Sequence, residues 1–213
     1  MNKIARRIGG AALIAGAAAA AYPVPVRHWF LTWGARPDEV DRVMPGDDLL
    51  PEPDMLSTRA ITVDAPPAAI WPWLVQMGSG RGGAYTYDWI ENLLGLGMHS
   101  ADEILPQFQQ LAVGDMLPVG PKVSGMRVEV LEPEQALVFR SEEGDWVWIF
   151  ALYPEDGQTR LVSRNRIATP GASQPRRVMN RVVMEPGSLV MERRMLIGIK
   201  QRAERTVPTL QPA

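Results

Sequence analysis

The residues of this chain whose types and spacing could do chemistry gather between Gln76 and Trp89, in the run QMGSGRGGAYTYDW. Gly78, Gly80, Gly82 and Gly83 lie there beside Arg81, Tyr85, Tyr87 and Asp88. Glycines so placed give tight or left-handed backbone, or close approach by another group. A guanidinium, two phenols and a carboxylate at such a loop suit general acid–base work, which needs two of them at one substrate atom. They equally suit the mouth of a binding pocket. His99 and Glu192 are further acid–base candidates. Each also has a plain structural role open to it. Asp88 with Glu91 fits a capping box, as do Ser100 and Glu103, and a lone histidine often only packs. The run GSGRGG matches a dinucleotide fingerprint superficially. It leaves a helical segment, whereas the fingerprint leaves a strand and opens a helix, so nucleotide binding is rejected.

Composition narrows the chemistry. The chain has 213 residues, one domain plus appendages, and no cysteine. Disulfides, thiol catalysis and cysteine metal sites are therefore excluded. The two histidines, His28 and His99, stand far apart, and neither a metal centre nor a cofactor is expected. The formal charge of −2 hides an asymmetry. Residues 37–160 carry 21 acids and 7 bases, and residues 176–205 carry 8 bases and 3 acids. The bases sit in a helical segment with acids interspersed, which speaks against a nucleic-acid partner.

The elements that must position these residues can be read in order. Lys3, Arg6 and Arg7 precede an uncharged run from Ile8 to Val26. As a helix its 19 residues reach about 28 Å, near a hydrocarbon core. Tyr22, Trp29, Phe30 and Trp33 resemble an interfacial belt. The run is read as a membrane anchor, with a cleaved signal sequence as the alternative. The basic cluster places the N-terminus inside and the domain outside the cytoplasm. Residues 36–56, with seven acids and four prolines, read as an extended, solvated acidic linker with at most one helical turn.

A strand is expected at Ser57–Val63, then a helix capped by Asp64, with Ile70, Leu74 and Met77 as its apolar stripe. The glycine-rich loop follows, then helices at Asp88–Leu96 and from Ser100 to about Leu111. Period-two segments run from Val113 to Ala168 with hairpin-length links, hence antiparallel. One of them, Asp145–Tyr153, is apolar on both faces: Trp146, Trp148, Phe150 and Leu152 on one, Val147, Ile149, Ala151 and Tyr153 on the other. Such a strand is covered twice or lines an apolar cavity. After Pro175 the chain turns helical to Thr206, with a break expected at Pro186-Gly187. Leu189, Met195, Leu196, Ile199 and Ala203 share one arc, with Glu192 in its middle. A carboxylate there needs a partner such as Arg140 or Arg164, or a wet pocket.

The stretch IxVDAPPAAIWPWLVQM, the segment GRGGAYTYDW and the closing helix resemble the SRPBCC superfamily, the START-like helix-grip group that includes polyketide cyclase/dehydrase-like proteins. The resemblance covers about residues 57–206 and looks like a bacterial branch with an N-terminal membrane segment. It implies an α+β helix-grip fold: a curved antiparallel sheet around a long C-terminal helix, with short helices between the first two strands. It also implies an apolar cavity. The expected organisation is an anchor or signal at 1–26, an acidic juxtamembrane linker at 27–56, the domain at 57–206 and a disordered tail at 207–213. The expected function is a membrane-anchored binder of a hydrophobic small molecule or lipid. A cyclase, dehydratase or isomerase is one alternative, and a protein or anionic-lipid interaction module another. Candidate ligand contacts are Arg81, Tyr85, Tyr87, Asp88, His99, Arg140, Trp148 and Glu192; no catalytic motif carries over.

Overall fold

Six antiparallel strands form one sheet in the computed structural model, which describes residues 24–120 and 125–206. They are β1 (Met55–Val63), β2 (Met116–Leu117), β3 (Met126–Glu132), β4 (Ala136–Ser141), β5 (Trp146–Glu155) and β6 (Gln158–Ile167). The order is β1-β6-β5-β4-β3-β2. A meander runs from β2 to β6, and β1 closes its edge by pairing all its residues with Thr159 to Ile167 of β6. The β5–β6 hairpin turns on Asp156-Gly157, whose φ values of 46° and 84° are those a type I′ turn requires.

The helices are α1 (Val24–Leu31), α2 (Pro37–Asp41), α3 (Pro67–Val75) and α4 (Asp88–Leu93), followed by the C-terminal helix. That last helix is α-helical over Gln174–Met179, π-helical over Asn180–Met184 and α-helical over Glu185–Thr206. Its 33 residues run without the break expected at Pro186. A proline lacks an N–H and clashes with the carbonyl four residues back. The π turn just before it widens the spiral, and Glu185 N donates to Asn180 O, five residues back. The helix therefore absorbs Pro186.

Strand alternation sorts the core into two layers. On the concave face Phe139, Phe150, Leu152 and Leu161 pack with Ile70, Trp73 and Leu74 of α3 and with Met195, Leu196, Ile199 and Ala203 of the C-terminal helix. Each such side chain, once fully buried, contributes about 1.5–3 kcal/mol. On the convex face Val138, Val147, Ile149, Ala151 and Val162 pack under Met44, Ala35, Leu49 and Leu50. Strand β5 is thus covered on both faces, as its two apolar sides require.

The acidic segment corrects an expectation: much of it is folded against the sheet. Arg160, Arg164 and Arg166 project from the convex face of β6 beside Val162, while Leu161, Ser163 and Asn165 point to the other face. Glu39 takes Arg160 in two bonds of 2.7 Å. Asp47 takes Arg164 at 2.6 Å and Arg166 at 3.0 Å. The carbonyls of Glu39, Val40 and Arg42 accept from Arg164, and those of Leu50 and Pro51 from Arg166. Burial pushes the Glu39 carboxyl up, but the Arg160 hydrogen bonds and the Arg36 backbone N–H outweigh it and hold it below the usual range. Charge read as solvated is a strap clasping the sheet.

Other local expectations also shift. Asp64 does not cap α3; the cap position is Pro66, and Asp64 meets Lys200 and Gln158. The helix expected from Ser100 to Leu111 is a coil with one 3-10 turn at Pro106–Phe108. Gln76 holds that coil by bonding the Glu103 carbonyl and the Leu105 N–H. The expected anchor lies outside the described residues except for its last three, as does the expected tail at 207–213. Among the described residues no helix is long and apolar enough to cross a membrane.

Candidate functional site

The glycine-rich loop is a knot rather than an open mouth. Gly78 and Gly83 exchange backbone hydrogen bonds of 3.0 Å, and Gly82 N reaches Gln76 O at 2.7 Å. Gly83 has φ 73°, and a Cβ there would lie 2.5 Å from His99 O, so only glycine fits. Arg81 folds back over the end of α3, donating to Val75 O, Met77 O and Phe108 O. It caps helix carbonyls and meets no carboxylate. Burial lowers its pKa, with Asp115 opposing.

Tyr85 is buried. Its hydroxyl donates to Trp73 O at 2.9 Å, and its ring stands edge-on to Trp73 with centroids 5.9 Å apart. Burial pushes its phenol up. Asp88 accepts from the Ser100 N–H at 2.8 Å and from Ser100 Oγ at 2.5 Å. It sits in the first turn of α4, where Tyr87 holds the cap position, so the expected capping box is not formed. Tyr87 and His99 are exposed. Arg140 shares the convex face with Val138. Six of the eight candidate contacts therefore hold scaffold or surface positions.

Trp148 and Glu192 stand together at a chamber of about 430 Å³ between the concave sheet and the C-terminal helix. Its walls include Met55, Met98, Met184, Met191 and Met195 and the paired indoles of Trp146 and Trp148, whose rings stack 5.7 Å apart. Thioethers and indoles make an apolar, polarisable and adaptable surface. A recess of about 60 Å³ beside Phe139 shares the two tryptophans.

The chamber has a polar floor closed on itself. Arg59, wholly buried on β1, pairs with Glu192 through Nη1. Its Nε donates to Phe30 O and its Nη2 to Ser188 Oγ, each at 3.0 Å. Glu192 also accepts from Ser163 Oγ at 2.5 Å and Asn165 Nδ2 at 3.1 Å. The same two residues accept from the indole N–H groups: Ser163 Oγ from Trp148 at 3.0 Å and Asn165 Oδ1 from Trp146 at 2.8 Å. The glutamate thus fixes both indoles through one intermediary each. Its partner is Arg59 rather than Arg140 or Arg164, because those two belong to the outward phase of their strands.

Three polar groups at the chamber are left with little to bond: among the described residues Ser57 Oγ has no partner, and Thr86 Oγ1 and one oxygen of Glu91 have none beyond each other. Burial raises the Glu91 pKa, the nearby Thr86 hydroxyl pulling the other way. Reading by residue type missed these, along with Arg59 and the methionines. The one available signal was the alternation of β1, which puts Met55, Ser57 and Arg59 in phase with Ile61 and Val63. Ala84 and Thr86 line the chamber from either side of Tyr85, so the loop contributes through its least reactive members.

A single antiparallel sheet gripping a long C-terminal helix, with the short helices between β1 and β2, defines the architecture. This is the helix-grip fold. No family model and no curated protein matches the chain. Among solved structures it is similar to NE0264 of Nitrosomonas europaea: 13% identity over 77% of this chain and 100% of that one, TM-score 0.45. It is also similar to MLL2253 of Mesorhizobium loti, at 18% identity over 72% and 99% of the chains, TM-score 0.43. A third is the Polyketide_cyc-like protein Cgl2372 of Corynebacterium glutamicum, at 15% identity over 74% and 97%, TM-score 0.38. Structural neighbours thus include polyketide-cyclase-like proteins. Likeness at this level says nothing of activity.

Proposed function

We propose that the protein binds a hydrophobic small molecule or lipid in the chamber between the sheet and the C-terminal helix. One observation carries this reading: a space of about 430 Å³ walled by methionine and tryptophan, over a polar floor whose groups satisfy one another. Ligand sites are mostly apolar concavities with a few placed polar groups. Ser57, Thr86 and Glu91 are such groups here. Membrane anchoring is part of the proposal. It rests on the uncharged run at residues 8–26 and on exposed Trp29 in α1 just after it.

The test is titration with a neutral apolar fluorophore, N-phenyl-1-naphthylamine, and native mass spectrometry of protein taken from its own host. Ser57→Leu fills the chamber without breaking a hydrogen bond, since Ser57 Oγ has none. Ala84→Phe fills it from the opposite wall. Both should abolish fluorophore binding while thermal melting stays cooperative. Unchanged binding in two folded variants would remove the chamber from the account.

A second reading, acid–base catalysis of the cyclase or dehydratase type, is favoured by Glu91. Its carboxyl is buried and raised in pKa where it meets the chamber, with the Thr86 hydroxyl beside it. Under that reading the molecule that copurifies with Glu91→Gln is converted to a dehydrated or cyclised product when wild type is added, detected by mass or by chromatographic retention, and stays unchanged with fresh Glu91→Gln.

A further inference from the structure

We infer that the chamber opens through an arginine-lined vestibule that takes the anionic head of an amphipathic ligand whose apolar tail lies inside. This inference rests on the binding reading above and specifies the ligand class. The vestibule is a separate pocket of about 290 Å³ beside the π turn of the C-terminal helix. Arg27, Arg176, Arg177 and Arg181 line it, against only two acids, Asp54 and Glu185. Both acids are already engaged. Glu185 takes Arg27 through Nε and Nη2 at 2.7 to 3.2 Å. Asp54 accepts from Thr169 N–H at 2.6 Å and Thr169 Oγ1 at 2.8 Å, and those bonds hold its carboxyl below the usual range. It stands 3.8 Å from Arg177, at the outer limit of an ion pair. Among the described residues the lining thus counts four guanidinium groups against two carboxylates, a formal surplus of positive charge.

Its position gives that charge a use. Met55, Ile167 and Met184 line both the vestibule and the chamber, so the two spaces meet across these three side chains. Two of the three are methionines, which change rotamer readily. A head group held by the arginines would leave its tail pointing past them into the methionine-walled space. The chain also connects the vestibule to the uncharged N-terminal run. That run ends at Val26, and the next residue, Arg27, lines the vestibule. If the run lies in a bilayer, the vestibule stands at the bilayer surface, where anionic head groups are found.

The experiment compares two amphiphiles with one tail, dodecyl phosphate and dodecanol, by displacement of the neutral fluorophore at low salt. Each exposed charge pair is worth at most a factor of about five. The wild type should thus prefer the phosphate by roughly tenfold, and salt should shrink the preference. In the triple variant Arg176→Ala/Arg177→Ala/Arg181→Ala the ratio of the two affinities should fall to near one. Three outcomes overturn the inference. Equal affinity for both amphiphiles leaves the chamber standing and removes the vestibule. A preference that survives in the triple variant puts the anion elsewhere. Failure of both amphiphiles to displace the fluorophore ends the chamber reading itself. A further arm mixes the protein with vesicles of phosphatidylcholine and phosphatidic acid. Coelution of phosphatidic acid with the protein assigns the head to a membrane lipid; binding of free dodecyl phosphate alone assigns it to a soluble amphiphile. Either result, with arginine dependence, supports the vestibule.

Discussion

Removing one partner of the chamber floor should cost far more than removing both. Arg59 is wholly buried and Glu192 is 7% exposed. In Arg59→Met the side chain keeps most of its volume and loses its charge. Glu192 then retains the Ser163 and Asn165 hydrogen bonds but has no cation, and Phe30 O loses its bond from Arg59. An uncompensated buried charge costs about 3–5 kcal/mol. At about 2–4 °C per kcal/mol for a chain of this size, the melting temperature should fall by roughly 6–20 °C. The double variant Arg59→Met/Glu192→Leu leaves no charge to strand, and an apolar replacement of a buried pair is often neutral. It should recover about 2 kcal/mol or more of the loss. Urea denaturation of wild type, both single variants and the double variant measures the coupling. The reasoning fails if Arg59→Met loses less than about 1 kcal/mol, or if the double variant is no more stable than that single one.

Two more expectations follow from particular residues. Glu91 has a folded pKa above its ordinary 4.5, so the native state holds its proton more tightly than the unfolded chain. Stability should fall as pH rises from about that value through the folded one, and Glu91→Gln should remove this slope. Melting curves from pH 4 to 8 test it; a constant gap between the two proteins would refute it. Gly198 lies inside a helix, where alanine is ordinarily better than glycine by about 1 kcal/mol. Here its Cβ would sit 2.5 Å from Tyr85 O, so Gly198→Ala should destabilise by about 1–3 kcal/mol, and a rise in melting temperature would contradict that close approach.

How much of this was legible beforehand depends on the range of the interaction. The strands were, because strand signals are local: β-branched residues in β1 and an apolar run of strand length in β5, each bounded by turn residues. The two-faced character of β5 called for a cover on each side or an apolar cavity, and the strand has both: packed layers on its two faces, and Trp146 and Trp148 at the chamber. Glu192 on the apolar arc of its helix announced either an arginine partner or a wet pocket, since a buried carboxylate cannot stand alone. Residue type alone did not show where the reactive side chains would go. Arg81, Tyr85 and Asp88 are polar enough for chemistry, yet their nearest backbone carbonyls and N–H groups consume them. The helix expected after Ser100 failed because its cap signal was spent elsewhere: Asp88, remote in sequence, takes both Ser100 donors.

The sequence by itself determined the α+β pattern, the antiparallel meander, the long C-terminal helix, the absence of thiol chemistry and the need for a partner or a wet pocket at Glu192. These follow from periodicity and composition, which are properties of neighbours in the chain. Only the tertiary structure decided that the partner is Arg59, 133 residues away, that the acidic segment straps the convex face, and that the chamber is walled by methionines from several elements. Register between β1 and β6 and the rotation of the closing helix set those meetings. Both are fixed by packing across the whole core, which no short stretch of sequence contains.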